Sequence, residues 1–377
     1  MRRIYLDYAA STPLGKEVKK AMDPFWDKKF ANPGGIHREG LEAKKALENS
    51  RKEASLILGS KDREVIFTSG GTESNSLAII GFLNNLQSES QLKGTHIITS
   101  EVEHPSVLEV FKSYENAGVE VSFLGVKEDG LFDLDDLKKT LRPETSLVSL
   151  VFVNSEIGTV QPIRKISKII KDYNPKITFH TDASQAPLFF NVSPESLQVD
   201  MLTLDGVKMY GPKGVGILYK KEKINISPVL IGGSQEMGLR PGTENIPLIV
   251  GFSKAFQIAA KERDSLSEKI LKMRDFFIDS LKEIDGLNFN GSLKFRSPNN
   301  INISIAEVDS EFLALELDRN GVACSTRSAC IGKETQGSYV IKSLGKNNDG
   351  LRFTLGRETT IDEIRETVMV LKRILNS

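Results

Sequence analysis

The sequence has little of what marks secreted, membrane-spanning or strongly charged proteins. It contains only two cysteines in 377 residues, too few for a disulfide framework, and no histidine lies near them to complete a zinc site. No apolar run approaches the roughly 20 residues of a membrane span. The 50 basic and 50 acidic residues cancel, so bulk charge does not favour nucleic acid or a membrane surface. We therefore expect a cytoplasmic protein that holds no metal and contacts neither membrane nor nucleic acid.

Short apolar runs alternate with helical patterns over the first two thirds of the chain. Strand-like runs at residues 64–67, 96–99, 119–124, 146–153 and 177–182 are separated by amphipathic segments. This alternation predicts an α/β fold with a largely parallel sheet covered on both faces. After residue 245 a long helical segment leads to short strands around helices, which predicts a second, α+β lobe.

A lysine, Lys208, lies between an apolar run and a Gly-Pro turn, in the segment DGVKMYGPKG at residues 205–214. An isolated lysine in a turn is usually a solvent-exposed charge. Lys208, however, is one of several polar groups that follow strand-like runs, and parallel strands gather such groups at one edge of the sheet. The set suits pyridoxal 5′-phosphate (PLP), which enzymes hold through a Schiff base to a lysine amine.

The turn that contains Gly71 and Thr72 has two readings. It is either an ordinary tight turn or a phosphate cradle, because it follows a strand and precedes a helix. In a cradle the glycines let backbone N–H groups approach the anion, and the Thr72 hydroxyl adds a donor.

Asp182, Gln185 and His104 also have two readings each. Asp182 either caps the following helix or keeps the pyridine nitrogen of PLP protonated, with Gln185 reaching the phenolic oxygen of the ring. His104 is either a structural loop residue or a group that stacks on the ring and carries protons, because the ordinary pKa of histidine lies near neutrality.

The two cysteines differ in their surroundings. Cys324 lies in an apolar run, which predicts a core position, whereas Cys330 lies among small polar residues and glycines, which predicts an exposed loop. Arg327 and Lys333 favour the thiolate of Cys330 and make it the reactive candidate. Arg352, in a strand-like run, is either an ion-pair partner or a bidentate ligand for a substrate carboxylate.

Taken in order, these segments resemble the NifS/IscS-type cysteine desulfurases of the class V aminotransferase family over nearly the whole chain. The matching segments are LDYAASTP at 6–13, NP at 32–33 with His37, TSGGTESN at 68–75, EH at 103–104, VNSEIG at 153–158, TDASQ at 181–185, KMYGPKG at 208–214, RPGTEN at 240–245, SAC at 328–330 and RFTLG at 352–356.

The resemblance implies the PLP-dependent transferase fold of type I. A large domain over residues 14–260 would contain a mainly parallel seven-stranded sheet. Residues 1–13 and 261–377 would form a smaller α+β domain that carries the reactive-cysteine loop.

For the cofactor, the resemblance implies that Lys208 forms the Schiff base and later removes the α-proton of L-cysteine. His104 would stack on the ring and help proton transfer, and Asp182 would hold the pyridine nitrogen. Gly71 and Thr72 would bind the phosphate, while Gln185 would hold the phenolic oxygen.

For the substrate and partners, the resemblance implies that Arg352 binds the substrate carboxylate, beside Asn154 and Ser155. Cys330 would attack the substrate sulfur and keep it as a persulfide, leaving L-alanine. Thr243 would reach the phosphate of a neighbouring subunit, so the active form would be a homodimer. The persulfide would pass to a sulfur acceptor such as an iron–sulfur scaffold or a tRNA-thiolation protein.

The sequence departs from the family pattern at three positions. Asp205 and Val207 stand where the family usually has the serine and histidine that bind phosphate, and Ser155 replaces an asparagine that helps hold the substrate carboxylate. An aspartate beside a phosphate dianion costs Coulomb energy unless it turns away or is protonated. We therefore predict weaker PLP retention than in a typical member.

Two other functions are compatible with the sequence. The first is another class V activity, such as selenocysteine lyase or aminotransferase, and Cys330 separates these because an aminotransferase does not need it. The second is a cofactor-poor, non-catalytic scaffold protein, which Asp205 and Val207 favour.

Overall fold

The computed structural model describes residues 3–90, 92–326, 337–346 and 349–376. The predicted nucleophile Cys330 and its basic neighbours Arg327 and Lys333 lie outside these ranges. The strands are β1 Ile4–Tyr5, β2 Val65–Thr68, β3 His96–Ser100, β4 Glu120–Leu124, β5 Thr145–Ser149, β6 Thr178–Asp182, β7 Met201–Asp205, β8 Gly216–Lys220, β9 Leu287–Phe289, β10 Asn300–Ile305, β11 Val322–Ala323 and β12 Leu351–Thr354. The helices are α1 Lys16–Met22, α2 Pro24–Asp27, α3 Arg38–Leu58, α4 Gly71–Ser88, α5 Pro105–Asn116, α6 Leu134–Thr140, α7 Ile163–Tyr173, α8 Pro194–Leu197, α9 Ile246–Leu281, α10 Ser310–Arg319, α11 Tyr339–Ser343 and α12 Ile361–Leu375.

A seven-stranded sheet in the order β2-β8-β7-β6-β5-β3-β4 forms the centre of the molecule. Only β8 runs antiparallel to its neighbours within this sheet. Strands β3 and β6 are buried along their whole length, as expected for strands covered by helices on both faces. The predicted α/β fold with a mainly parallel seven-stranded sheet is confirmed.

A smaller set of strands lies after residue 281. Strands β9 and β12 pair antiparallel with β10 on either side, and β1 of the N-terminal arm pairs in parallel with β11. The arm therefore pairs with a strand of the C-terminal part of the chain. Helix α9 runs unbroken across residue 260, so the division into residues 14–260 and the remainder stays a prediction.

Two predicted elements are shorter in the structure. The helical pattern at residues 16–30 is broken into α1 and α2, because Pro24 has no N–H to continue the helix. The apolar run 146–153 leaves the regular strand after Ser149, although the backbone N–H of Leu150 and Phe152 still donate to the carbonyls of His180 and Asp182.

Among the described ranges, no helix has the length and apolar character needed to cross a bilayer.

Candidate active site

A cavity of about 260 Å³ lies beyond the carboxyl ends of the central parallel strands. It brings together nearly all of the predicted site residues. The cavity is lined by Gly71, Thr72, His104, Asn154, Ser155, Asp182, Gln185, Asp205, Lys208 and Arg352, together with residues that the sequence did not single out. The expectation that polar strand-end groups meet at one edge of the sheet is therefore correct.

Asp182 is the last residue of β6 and is almost fully buried. One carboxylate oxygen accepts the backbone N–H of Ser184 at 2.9 Å, and the other accepts Nδ2 of Asn75 at 2.8 Å. Asn75 lies on α4, so this bond ties the helix that follows β2 to the end of β6. Asp182 both closes a local turn and presents a held carboxylate to the cavity.

His104 is the N-cap of α5, and Pro105 occupies the first helical position, where its missing N–H costs nothing. The imidazole Nδ1 accepts the backbone N–H of Ser106 at 3.2 Å and lies 2.8 Å from the Ser106 hydroxyl. Burial lowers the pKa of His104, Asp182 and Asp205 act to raise it, and Lys208 acts to lower it.

Lys208 ends a short 3₁₀ turn that follows β7. Its Nζ donates to the backbone carbonyls of Ala9 and Ala10, at 2.9 and 2.8 Å. Gln185 Nε2 donates to the same Ala9 carbonyl at 2.9 Å. The N-terminal arm therefore holds both the predicted cofactor lysine and the predicted ligand of the phenolic oxygen.

The turn that could be a phosphate cradle lies at the N-terminus of α4, where a carboxylate already accepts a backbone N–H. Asp205 Oδ2 accepts the Gly71 N–H at 3.0 Å, and Oδ1 accepts the Val207 N–H at 3.1 Å. A Cβ at position 71 would lie 3.1 Å from Asp205 Oδ2 and 3.2 Å from the Ser184 hydroxyl oxygen, so a larger residue would require these side chains to move by a few tenths of an ångström. The buried Ser184 hydroxyl has no hydrogen-bond partner among the described residues.

These observations test whether PLP fits the cavity. A buried carboxylate, an imidazole and a lysine amine stand together, which suits a protonated pyridine ring bound through its aldehyde carbon. At the helix terminus, Gly71 and the unpartnered Ser184 hydroxyl suit an anion, while Asp205 opposes one. The residues fit the ring of PLP and fit its phosphate less well.

Arg352 is 1% exposed and lies at the cavity wall. Its guanidinium pairs with Asp7 at 2.6 Å and donates to the Ser155 carbonyl at 2.8 Å. Within the described ranges its Nε–H has no hydrogen-bond partner. Arg352 is therefore an ion-pair partner, as one of its two readings predicted, and its contact with a substrate carboxylate stays a prediction.

Asn154 uses its side chain on the backbone. Its Nδ2 donates to the Val102 carbonyl, and its Oδ1 accepts from the N–H groups of Glu156 and Ile157, all at 2.9 Å. The contacts seen are those of a residue that shapes the loop; its predicted contact with substrate stays a prediction, as does that of Ser155.

Glu103 is a buried acid of the cavity wall that the sequence placed only in a motif. Its Oε1 accepts the Ser100 hydroxyl at 2.6 Å and the Val151 N–H at 2.9 Å. Its Oε2 has no partner in the described part of the chain. Burial raises the pKa of Glu103 to about 8, so the carboxyl is largely neutral at pH 7.

One predicted residue that the structure describes, Thr243, does not line this cavity. Thr243 lies instead at a separate surface cavity with Arg240 and Glu236, which agrees with a role toward another subunit but does not test it. Cys330 lies outside the described residues. Cys324 packs against the core, as predicted, and burial raises the pKa of its thiol to about 12, which disfavours the thiolate.

Reasoning from the sequence missed four contributors to the site. Asn75 and Ser106 lie near the starts of α4 and α5, and Ala9 and Ala10 contribute only backbone carbonyls. A polar residue near the start of a helix that follows a strand is a signal that could have identified Asn75 and Ser106. The carbonyls of two alanines carry no such signal.

The chain is similar to known proteins in both sequence and fold. The family model described as Aminotransferase class-V matches residues 4–366. The chain is 45% identical to "Cysteine desulfurase IscS" of Dictyoglomus turgidum, over 99% of this chain and 95% of the relative, and 37% identical to "Cysteine desulfurase IscS 1" of Archaeoglobus fulgidus, over 98% and 96%. Among solved structures, a "NIFS-LIKE PROTEIN" superposes with a TM-score of 0.93 at 30% identity and 99% coverage of both chains. The structure described as "SspA in complex with cysteine" superposes with a TM-score of 0.82 at 32% identity, over 93% of this chain and 98% of that one.

The buried acid Glu103 predicts a pH dependence of stability. Its pKa in the folded chain, about 8, is raised above the ordinary value of 4.5, so the folded state binds this proton more tightly than the unfolded state. The stabilisation is complete below pH 4.5 and is lost as pH rises toward 8, by at most about 1.4 kcal/mol per pH unit. Glu103→Gln removes the titration, so its unfolding free energy should improve relative to wild type between about pH 5 and 8.

Urea denaturation at several pH values measures this difference. Glu101→Gln, at an exposed position two residues away, is the matched control and should follow the wild type. A constant difference between Glu103→Gln and wild type over this pH range would show that Glu103 is charged in the folded protein.

Proposed function

Because the chain belongs to the class V aminotransferase family, we propose that it is a PLP-dependent cysteine desulfurase that converts L-cysteine to L-alanine and retains the sulfur as a persulfide on Cys330. The observation that carries the proposal is the meeting of Lys208, Asp182, His104 and Arg352 in one cavity. The relatives named cysteine desulfurase, which match over nearly the whole chain, support it.

In this proposal Lys208 holds the cofactor covalently and Asp182 keeps its ring nitrogen protonated. His104 stacks on the ring, Gln185 contacts its phenolic oxygen, and Gly71 and Thr72 hold its phosphate. When bound, PLP supplies a ring that accepts the electron pair of a bond broken on the substrate.

The residues around the substrate have separate tasks. Arg352 binds the carboxylate of L-cysteine through N–H groups that Asp7 and the Ser155 carbonyl do not occupy, with Ser155 and Asn154 beside it. Lys208 removes the α-proton, and the carbonyls of Ala9 and Ala10 hold its amine in the cavity.

The sulfur transfer is assigned to Cys330. Its thiolate attacks the substrate sulfur, forming an S–S bond while the C–S bond breaks. The C–S electron pair stays on the substrate β-carbon, which takes a proton. The α-carbon takes back the proton that Lys208 removed, which gives L-alanine, and Cys330 keeps the sulfur as a persulfide. A sulfur acceptor, such as an iron–sulfur scaffold or a tRNA-thiolation protein, then removes it. We place this reaction in the cytoplasm.

Cys330→Ala tests the assignment of the nucleophile. With L-cysteine and a reductant, wild type should release alanine and sulfide in equal amounts, and Cys330→Ala should lose about 100-fold or more of this activity. Cys324→Ala is the matched control and should keep it, because the Cys324 thiol is buried and protonated.

Two measurements separate the rival functions: alanine release from Cys330→Ala, and the PLP absorption band of wild type and Lys208→Ala. Alanine release at the wild-type rate from Cys330→Ala would contradict the desulfurase. Absence of a lysine-bound PLP absorption band from wild type would contradict the proposed cofactor and favour a cofactor-poor scaffold. A band that persists in Lys208→Ala would contradict the assignment of Lys208.

The Asp205 carboxylate leads to a prediction about cofactor affinity. Since it accepts the Gly71 N–H, it competes with phosphate for the α4 terminus and repels the phosphate charge. Asp205→Asn keeps the shape and removes the charge, and Asp205→Ser also restores a hydroxyl. Both should bind PLP at least about tenfold more tightly, a change of about 1.4 kcal/mol.

Equilibrium dialysis and the PLP absorption band measure this affinity. Glu73→Gln, at the same helix terminus but paired with Arg240 at 3.0 Å, is the control for a general change of charge and should not tighten binding. Full retention of PLP by wild type after long dialysis, or no gain in Asp205→Asn, would refute the competition.

We also propose a homodimer in which Thr243 contacts the partner's phosphate site. Support comes from an exposed apolar segment, which includes Leu230, Ile231 at 99% exposure and Met237. Glu236 holds this segment against the rest of the protein. It is buried, pairs with Arg51, and accepts the Phe67 N–H at 2.8 Å. Exposed apolar groups on a firmly held segment are typical of an interface.

Ile231→Glu should therefore shift the protein from dimer to monomer in sedimentation equilibrium, because a buried carboxylate opposes association. Leu315→Glu, an exposed apolar position on α10, is the matched control and should remain dimeric. A monomeric wild type, or an unchanged Ile231→Glu dimer, would rule out this interface.

A further inference from the structure

Hydrogen bonds connect Asp182 to His104 through two side chains that have no assigned role. Asn75 Nδ2 lies 2.8 Å from Asp182 Oδ2 and also 2.8 Å from the Ser106 hydroxyl. The Ser106 hydroxyl in turn lies 2.8 Å from Nδ1 of His104. The series therefore runs Asp182, Asn75, Ser106, His104.

The carboxylate at one end fixes the direction of the first two bonds. A carboxylate only accepts hydrogen bonds, so the side-chain atom of Asn75 that faces Asp182 must be its NH₂ group. The same NH₂ group donates to Ser106, whose oxygen accepts. A hydroxyl that accepts on one side keeps its own proton to donate, and the neighbour within reach is His104 Nδ1.

The backbone imposes the same direction on the imidazole. The Ser106 N–H donates to Nδ1 at 3.2 Å, because His104 is the N-cap of α5. Two donors thus point at Nδ1 and share its lone pair, so Nδ1 itself carries no proton. In neutral imidazole only one nitrogen carries a proton, so that proton is on Nε2. Both hydrogen bonds of the His104 imidazole to residues in the described ranges are at Nδ1, which leaves Nε2 for the cavity.

We propose that Asn75 and Ser106 are positioning residues that fix His104 in the Nε2–H tautomer, so that it presents an N–H donor rather than a basic lone pair to the cavity. The part that this tautomer plays in catalysis rests on the proposed desulfurase function. The assignment of the tautomer does not depend on that function. In that function, His104 would donate to a ligand oxygen, and it could pass a proton only after the Ser106 hydroxyl turns.

The charged groups around His104 do not by themselves fix the tautomer. Asp182 at the end of β6 and Asp205 at the end of β7 favour a charged ring, whereas Lys208 in the turn after β7 opposes it, as does burial. Glu103, the preceding residue, is largely neutral. Protonating the ring would place a hydrogen on Nδ1 against both Ser106 donors, and this contact is specific to one nitrogen.

Long-range ¹H–¹⁵N correlation spectra of the full-length protein, labelled at its four histidines, test the proposal without substrate. The His104 signal is the one lost in His104→Gln. In wild type at pH 7 we expect a protonated Nε2 and an unprotonated Nδ1. In Ser106→Ala the ratio of Nδ1–H to Nε2–H tautomer should rise about fivefold, the ratio that one hydrogen bond of ordinary net strength supports, and the pKa of His104 should rise.

Ser106→Thr keeps the hydroxyl and should restore the wild-type pattern. Unchanged signals of His96 and His180, which bond to Ser122 and Thr203 elsewhere in the sheet, show that each variant is folded. A wild-type spectrum with a proton on Nδ1, or a Ser106→Ala spectrum identical to wild type, would overturn the proposal. Since no substrate is used, these results are independent of whether the protein desulfurates cysteine.

Discussion

The site depends on one buried carboxylate whose two oxygens are both held. Asp182 accepts the Ser184 N–H and the Asn75 amide, so it cannot turn away from the cavity without leaving two buried donors unpaired, which costs about 1–3 kcal/mol for each. Because it only accepts, it also sets which way each neighbouring polar group points. The end of β6 and the first turns of α4 and α5 are joined through it, and the tautomer that we propose for His104 follows from it.

A second carboxylate, that of Asp205, acts against the binding of an anion in the same cavity. Asp182 suits a protonated ring nitrogen, whereas Asp205 lies where an anion would bind, on the Gly71 N–H. Each aspartate ends a neighbouring parallel strand, so the sheet itself brings the two charges together. Lys208, at the end of the turn that follows β7, is held in the cavity by the carbonyls of Ala9 and Ala10. The balance of charge therefore favours the ring of a pyridoxal ligand more than its phosphate.

Sequence patterns predicted the sheet and most of the site because both follow from local rules. Apolar runs give strands, and polar residues at the carboxyl ends of parallel strands meet; Lys208, Asp182 and His104 were found in this way. The contacts that the sequence does not predict depend on where a side chain points rather than on its residue type. No periodicity reveals that Asp205 points at the Gly71 N–H, that the side chain of Asn154 turns to its own loop, or that Ser106 faces His104. The break at Pro24 was visible in the sequence but was outweighed by the helical spacing around it.

The N-terminal arm links the parts of the site that are far apart in the sequence. The carbonyl of Ala9 binds both Lys208 and Gln185, and Asp7 pairs with Arg352. The arm is fixed in turn by the pairing of β1 with β11 and by the Ala9 N–H, which donates to the Thr354 hydroxyl at 2.9 Å. The same arm therefore contacts Lys208, Arg352 and the last strand before the segment that contains Cys330 in the sequence. A displacement of the arm would disturb Lys208, Arg352 and β11 together.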